Sequence, residues 1–494
     1  MAGGAVTVVQ PFLAGLVLSV AFVPLCRVMA RRTGLVAHPR NDRWHREIVP
    51  LLGGVAIALA TLVGTLITDA AADAIVPLSA AMAISVMGLV DDAFALKPAT
   101  KLIGQIVLAA AVVYAGYRLN WLDSRLLDSV VTMVWLVGLT NAFNLLDNMD
   151  GLCAGTALIV SMTLIIGLAS GAASQAAGPE IAFLSVLAGA VAGFLIYNFP
   201  PASIFMGDSG SLLLGFSLAT LTLNNEGVRG SRSDVLSAIA APVFVLLLPI
   251  FDTTLVTVLR LLAGRSPAVG GRDHSSHRLV ALGISERSAV FVLWFLAAGG
   301  GAIGILLRRT SAADSLAIGA VFLVLMCGFA YFLARVRVYD DQKVPASASP
   351  ITPIDSEFFY KRRAAEVMLD FGLVAAAYYA ATRLRFSGVE AYLENAENFY
   401  ATLPVVLATQ LVAFFIVGMY RGTWHHFKQR DWVTFAKGVT LGAAAAQAVV
   451  LVVYGWYSYS ISVFAIYAVL LAVMVTLSRG VVRRVERLLD RLLD

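Results

Sequence analysis

Val130-Val-Thr-Met-Val-Trp-Leu-Val-Gly-Leu-Thr-Asn141-Ala-Phe-Asn144-Leu-Leu-Asp147-Asn148-Met-Asp150-Gly151 is the stretch that decides the fold class. It is nearly all apolar up to Thr140, and with the residues from 126 it is long enough to cross a bilayer, which takes about 20 residues of helix. It then ends in amides and carboxylates. The spacing of three between Asn141, Asn144 and Asp147 predicts one helix face. Asp150 continues that face if the helix persists, and Gly151 is a turn point. Carboxylates beside hydrocarbon are costly and mark an interior or a wet cavity. A hydrogen-bonded seam between helices accounts for the two asparagines as well as a site does. It accounts poorly for the aspartates, which have no donor unless protonated.

The same design repeats along the chain. Apolar runs predict spans at 11–30, 52–68, 74–90, 102–117, 126–146, 152–170, 181–197, 210–225, 237–258, 288–307 and 315–334, then at 364–381, 401–420, 439–457 and 460–477. The chain is 59% hydrophobic and 14% charged, against roughly half and a quarter in soluble domains. An all-α polytopic membrane protein is expected, with about 11 spans before a break and about 4 after it. Of the 36 Lys and Arg residues, only Arg118, Arg125, Arg229, Arg232, Arg308, Arg309, Arg383 and Arg385 fall in alternate loops. The positive-inside rule then places the N-terminus outside. The first span lacks a basic n-region and reads as a retained helix. Cys26, Cys153 and Cys327 lie in or beside apolar runs, without metal-ligand spacing or a disulfide pattern. No basic run interleaved with aromatics points to nucleic acid.

Three more polar clusters fall on the same cytoplasmic side. Gly88-Leu-Val-Asp91-Asp92 ends the third span. Its two acids point about 100° apart on a helix and need not share a task. Lys97 and Lys101 follow and can meet phosphate oxygens as point charges, although Lys97 reads equally as an interfacial charge. Phe205-Met-Gly-Asp208-Ser-Gly-Ser211 follows the helix-breaking Pro200-Pro201. Its glycines allow a ligand close to the backbone, near a helix N-terminus of the kind that favours phosphate. Asp208 offers a hard oxygen of the type Mg²⁺ prefers; alone it could be a turn cap. Asp273-His274-Ser-Ser-His277-Arg278 lacks a third or fourth zinc ligand. It fits a diphosphate loop, with a solvated basic loop as the plain alternative. Gly299-Gly-Gly301-Ala-Ile-Gly304 matches a dinucleotide fingerprint only in letters, since it lies within a span and reads as helix packing. His425-His426 lack acidic or Cys company and read as interfacial.

With Arg43-Trp-His45, Pro50-Leu-Leu-Gly53-Gly54, Lys101, Gln105, Asn198-Phe-Pro-Pro-Ala202, Pro249-Ile-Phe-Asp252 and Arg265-Ser-Pro267, these clusters resemble the bacterial polyprenyl-phosphate N-acetylhexosamine-1-phosphate transferases over residues 11–335. That family includes the enzyme making undecaprenyl-diphosphate-GlcNAc and, more distantly, phospho-N-acetylmuramoyl-pentapeptide transferase. The chain departs from the family pattern at Ala37 (often Asp), Asn148 (often Gly) and Ser276 (often His). The loop around Arg265-Ser-Pro and His277-Arg278 fits the GlcNAc type better than the pentapeptide enzyme. The resemblance implies Asp208 as the ligand of Mg²⁺, or of Mn²⁺ in its place. It implies Asp91 or Asp92 at the lipid phosphate with Lys101 nearby, Asn144, Asp147 and Asp150 at the nucleotide, and His274, His277 and Arg278 at the sugar-nucleotide phosphates. The implied reaction is attack by undecaprenyl phosphate on the β-phosphorus of a UDP-N-acetylhexosamine, most simply by direct displacement, in the bacterial inner membrane and with a cytoplasmic site.

Hydropathy stops at 338–362, where Lys343-Val-Pro-Ala-Ser-Ala-Ser-Pro-Ile-Thr-Pro353 reads as a linker. It divides a transferase module, 1–337, from a four-helix module, 363–494, and few contacts across it are expected. Tyr360 to Asp370, Tyr378 to Phe386, Gly418 to Trp424 and Asp431 are similar to the membrane portion of polysaccharide-biosynthesis nucleotide-sugar epimerases and dehydratases. No Rossmann domain follows up to Asp494, so the resemblance implies a docking platform or a relic. A homodimer, or recruitment of glycan-synthesis enzymes through 355–494, would use it. The tail from Arg479 is amphipathic, suited to a membrane surface or a partner, or else a solvated helix end. A transporter or lipid flippase would also hold buried charges, but these acids gather on one face and do not string across the midplane. An inactive scaffold would not need every expected acid.

Overall fold

Apolar runs of this length leave the backbone no partner but itself in a bilayer, so helices follow. The computed structural model describes residues 2–37, 48–68, 74–169, 178–223, 235–262, 271, 273–307, 312–336, 353–386, 389–420, 429–454 and 460–493. Its helices are α1 (Ala2–Thr33), α2 (Gly53–Ile67), α3 (Ile75–Phe94), α4 (Pro98–Tyr114), α5 (Arg125–Leu146), α6 (Leu152–Ala169), α7 (Gly178–Asn198), α8 (Gly207–Leu221) and α9 (Val235–Val245). They continue with α10 (Leu247–Leu262), α11 (Ser275–Ala281), α12 (Glu286–Leu307), α13 (Ala312–Ala334), α14 (Pro353–Arg385), α15 (Val389–Val417), α16 (Gln429–Tyr454) and α17 (Ile461–Leu493). Two short strands, β1 (Val36–Ala37) and β2 (Val49–Pro50), pair antiparallel. Among the described residues eight helices are long and apolar enough to cross a membrane: α1, α3, α5, α6, α7, α12 and segments of α16 and α17. The chain is an all-α polytopic membrane protein.

Each expected span meets one helix, with one exception. The run 237–258 is two helices, α9 and α10, interrupted at Leu246. Pro249 sits in the first turn of α10, where its missing N–H costs nothing. The expected linker also shortens, because α14 starts at Pro353; residues 338–352 lie outside those described. So do Arg43, His45, Arg265, Pro267, Arg272 and His425.

The helices fall into two compact units, and the boundary differs from the linear one. One unit is Met1–Leu96 with Tyr117–Ile351; the other is Lys97–Gly116 with Thr352–Asp494. Helix α4 thus groups with α14 and α15 and not with its chain neighbours. Hydropathy marks α4 as a helix but carries no record of which neighbour covers it.

In the first unit glycines set the helix spacing. Gly15 of α1 and Gly189 and Gly193 of α7 bring the two backbones together; a Cβ on Gly189 would lie 1.9 Å from the Phe12 carbonyl oxygen. This is small-residue packing of the kind membrane helices use. The Gly299–Gly304 stretch does the same: Gly300 and Gly304 receive α9, and Gly301 receives Thr163 of α6. At the centre stands α8, buried from Ser209 to Leu221 and packed against α2, α3, α5 and α6. The first N–H groups of α2 are met from the loop before α8: Gly53 donates to Phe205 O (2.9 Å) and Gly54 to Met206 O (2.8 Å).

The second unit, α4 with α14–α17, carries its own buried polar groups. Arg479 of α17 donates to both oxygens of Asp370 on α14 at 2.6 Å, and Tyr420 donates to the same carboxylate at 3.1 Å. Gln410 donates to Gly438 O (3.0 Å) and accepts from Tyr467 (2.9 Å), joining α15, α16 and α17.

Candidate active site

The C-terminal end of α3 and the N-terminal end of α8 meet through glycine. A Cβ on Gly88 would lie 2.5 Å from Asp208 O, and one on Gly54 would lie 2.1 Å from Gly210 N. Gly207, with φ +68°, turns the chain into α8; a Cβ there would reach within 2.6 Å of Asp92 Oδ2. These approaches let Asp92 cap a helix that is not its own. Its Oδ1 accepts from Asp208 N (2.8 Å) and its Oδ2 from Ser209 N (3.0 Å). The otherwise unsatisfied first N–H groups of α8 are answered by a carboxylate, which the helix dipole favours.

Asp91 does something else. Its side chain is buried and accepts from Leu96 N at 2.7 Å, closing the turn after α3, where Ala95 takes φ +49°. The two adjacent acids thus have separate tasks: Asp91 closes the turn after its own helix, and Asp92 reaches across to α8.

Helix α5 approaches from the other side. Asn144 donates to Asp208 Oδ1 and to Ser211 Oγ, both at 2.9 Å. Asp147 is the C-cap of α5 and half-buried. Asn148 accepts from Ser276 Oγ at 2.6 Å, which ties this turn to the histidine loop. Two of the three residues at which the sequence leaves the family pattern therefore contact one another. Asp150 accepts from Ala202 N at 2.8 Å and braces the loop before α8. Asn141 is exposed and donates to Val137 O of its own helix, so it stands apart from Asn144.

The histidine loop is held by α10. Asp252 and Arg260 are eight residues apart, hence on one face. Arg260 Nε donates to Asp273 Oδ2 at 2.7 Å, and its Nη2 to Oδ1. Burial works to raise the Asp273 pKa, but the hydrogen bonds and charge of Arg260 outweigh it and hold this carboxyl below its ordinary range. Asp252 accepts from His274 Nδ1 (2.8 Å) and from Ser275 N and Oγ (2.7 and 2.6 Å). His274 and His277 are both buried, with ring centroids 6.1 Å apart. Arg278 donates to Asp273 O, Leu333 O and Val336 O, fastening the loop to the end of α13. Its Nε and Nη1 meet main-chain carbonyls, a use that the spacing of charges in sequence does not reveal.

One end of this unit thus joins all four sequence clusters, with α5 as the bridge. Of the expected site residues, Asp92, Asn144 and Asp208 form one contacting group, and His274, His277 and Arg278 lie in the loop tied to it. Lys101 stands on α4 in the second unit. Sequence reading assigned no role to Asp252, Arg260 or Ser211. A carboxylate and a guanidinium eight apart in an apolar helix was the available signal for the first two.

Among the described residues no three or more His, Cys, Asp or Glu converge as a complete metal cage. Asp208 beside Asp92, with the amide of Asn144 and the hydroxyl of Ser211, is an oxygen-rich set of another kind. It suits Mg²⁺, which binds through one or two carboxylates and completes its shell with water and substrate phosphates.

Comparison with known proteins decides the family. The chain is 33% identical over 307 residues to a Bacillus subtilis protein named "Probable undecaprenyl-phosphate N-acetylglucosaminyl 1-phosphate transferase", covering 59% of this chain and 82% of that protein. The sequence profile of glycosyl transferase family 4 matches residues 74–225. The chain belongs to this family. It is a phospho-sugar transferase. The transferase is also 34% identical over 303 residues to the decaprenyl-phosphate N-acetylglucosaminephosphotransferase of Mycolicibacterium smegmatis, covering 54% of this chain and 74% of that one. It is 31% identical over 241 residues to the phospho-N-acetylmuramoyl-pentapeptide-transferase of Lactobacillus gasseri, covering 43% and 74%. The profile's match spans α3 to α8 and so contains Asp92, Asn144 and Asp208 of the transferase.

Proposed function

We propose that the protein transfers N-acetylglucosamine-1-phosphate from UDP-GlcNAc to undecaprenyl phosphate, initiating a cell-envelope glycan. The observation that carries this reading is the last turn of α5, which holds Asp208 through Asn144 on one side and the histidine loop through Asn148 on the other. Acids suited to a cation thereby stand beside a loop carrying imidazole and guanidinium groups, the two things a diphosphate ester needs. The reaction joins an oxygen of the lipid phosphate to the β-phosphorus of the donor. The bond from that phosphorus to the bridging oxygen breaks, and UMP leaves. Such transfers depend mostly on positioning and charge neutralisation.

Each side chain then has a task. Asp92 anchors the start of α8, so that Asp208 is presented from a fixed turn. Asn144 fixes the plane of the Asp208 carboxylate. His274 and His277 receive the donor's diphosphate, and Asp147 lies within reach of the nucleotide part. Asp208, with Asp92, would hold Mg²⁺, which supplies charge neutralisation on the diphosphate when bound. The site faces the cytoplasm of a bacterial inner membrane, and the N-terminus lies outside.

The test uses the full chain in detergent with undecaprenyl phosphate, radiolabelled UDP-GlcNAc and Mg²⁺. Label should enter the lipid extract with one UMP released per transfer, stop with EDTA and return with excess Mg²⁺. Undiminished transfer in EDTA would remove the metal. Transfer from UDP-GalNAc but not UDP-GlcNAc would change the donor, and transfer from neither would end the reading.

A further inference from the structure

Two buried carboxylates tie the histidine loop to its surroundings, and they do different work. Asp273 is matched by Arg260 in a full ion pair, which fixes where the loop begins. Asp252 is only 1% exposed and receives three donors. Two come from Ser275, on one oxygen. These alone would secure the backbone. The third, on the other oxygen, is His274 Nδ1 at 2.8 Å.

A carboxylate that accepts from Nδ1 settles which ring nitrogen is left. Nδ1 carries a proton toward Asp252, and Nε2 becomes the nitrogen available to anything else. The ring plane is fixed as well, because the carboxylate is itself pinned by Ser275. The ring lies two residues from Ser276, whose hydroxyl is bonded to the α5 turn that carries Asn144 and reaches Asp208.

We infer that Asp252 is a positioning residue for the donor: it orients His274 so that Nε2 meets the diphosphate of the sugar nucleotide. The inference rests on the transferase reading above. Asp252 touches no substrate and acts through the imidazole. With the donor bound, the ring stands between two anions, the Asp252 carboxylate and the diphosphate, so the hydrogen bonds it gives them are charge-assisted. Such bonds are roughly twice as strong as neutral ones. An amide at position 252 keeps the shape but removes one of those anions.

The experiment measures kcat and KM for both substrates, in detergent, for the full-length wild type, Asp252→Asn, His274→Ala and the double variant. Asp252→Asn should raise the KM for UDP-GlcNAc about 10-fold, the loss of a charge-assisted bond to a neutral one. The KM for undecaprenyl phosphate should stay unchanged. In the His274→Ala background Asp252→Asn should have almost no further effect on donor KM. Equal effects in both backgrounds, or a lower kcat at unchanged donor KM, would overturn the inference and leave Asp252 a structural acid. If Asp252→Asn fails to fold, Ser275→Ala and His274→Ala decide. Both remove a bond to the same carboxylate, and only His274→Ala should raise donor KM; equal effects count against the inference. Failure of the wild type to transfer from UDP-GlcNAc would overturn the transferase reading and this inference together, whereas wild-type transfer with additive variants sinks the inference alone.

Discussion

Asp92 and Asp370 are both carboxylates set in apolar helices, and they are satisfied in different currencies of charge. Asp370 is fully buried and meets a whole positive charge, Arg479, with Tyr420 donating as well. That cluster is closed: its charge is cancelled. Asp92 is met by two main-chain N–H groups of α8, and no cationic side chain pairs with it among the described residues. Dipoles stabilise a carboxylate without neutralising it. Asp92 therefore stands beside Asp208 with main-chain dipoles as its partners, and the pair of acids is left for a cation to bind. A buried charge by itself does not mark a site; here the site is marked by half-buried acids held by dipoles and amides.

The comparison can be broken in three ways. The largest effect is expected from truncation after Ser347, which removes α14 to α17 and with them the helices that cover α4 in its unit. The linear reading expects an intact transferase from such a cut. The packing of α4 predicts no monodisperse protein by size-exclusion chromatography. A stable, active truncation would show that α4 needs no such cover.

Next, Asp208→Asn keeps the shape and removes the charge. Label transfer should fall at least about 10²-fold, the usual cost of losing one electrostatic contact to a developing charge, while thermal stability in detergent stays near wild type. Retention of most turnover would show that this acid is as structural as Asp370. The smallest change in activity belongs to Arg479→Ala. It leaves Asp370 buried without its counter-charge, which should cost about 3–5 kcal/mol of stability, read as a lowered Tm. Turnover well below that Tm should be unchanged. The pair Asp370→Leu with Arg479→Met should recover much of the loss, since apolar replacement of a buried ion pair is often neutral. A large fall in kcat for Arg479→Ala at full stability would tie the second unit to the chemistry.

The helices were legible because apolar length is a local, additive property. The meeting of the polar clusters was legible in outline, since their common face follows from alternation of the spans. What each acid does was not. Asp91 and Asp92 are one residue apart, yet one closes its own turn and the other caps α8, and the difference depends on Gly88 and Gly207 letting α8 come close. Arg278, which the resemblance places at the sugar-nucleotide phosphates, also donates to carbonyls contributed by α13 and the residues just after it, a tie that its charge in the sequence does not reveal. The allegiance of α4 was invisible for the same reason, since covering helices lie hundreds of residues away. Asn148 and Ser276 were noted separately as departures. Nothing short of the fold pairs them.

The burial of α8 on every side has a consequence for how the protein is made. A helix with no face for lipid gains little by leaving the translocon alone. The helices it packs against, α2, α3, α5 and α6, all precede it in the chain. Chain order therefore makes the slot before its insert, and the segment carrying Asp208 comes to rest against Gly54 and Gly88, which precede it. The pair of Asp92 and Asp208 can form only once α8 has followed every helix it packs against.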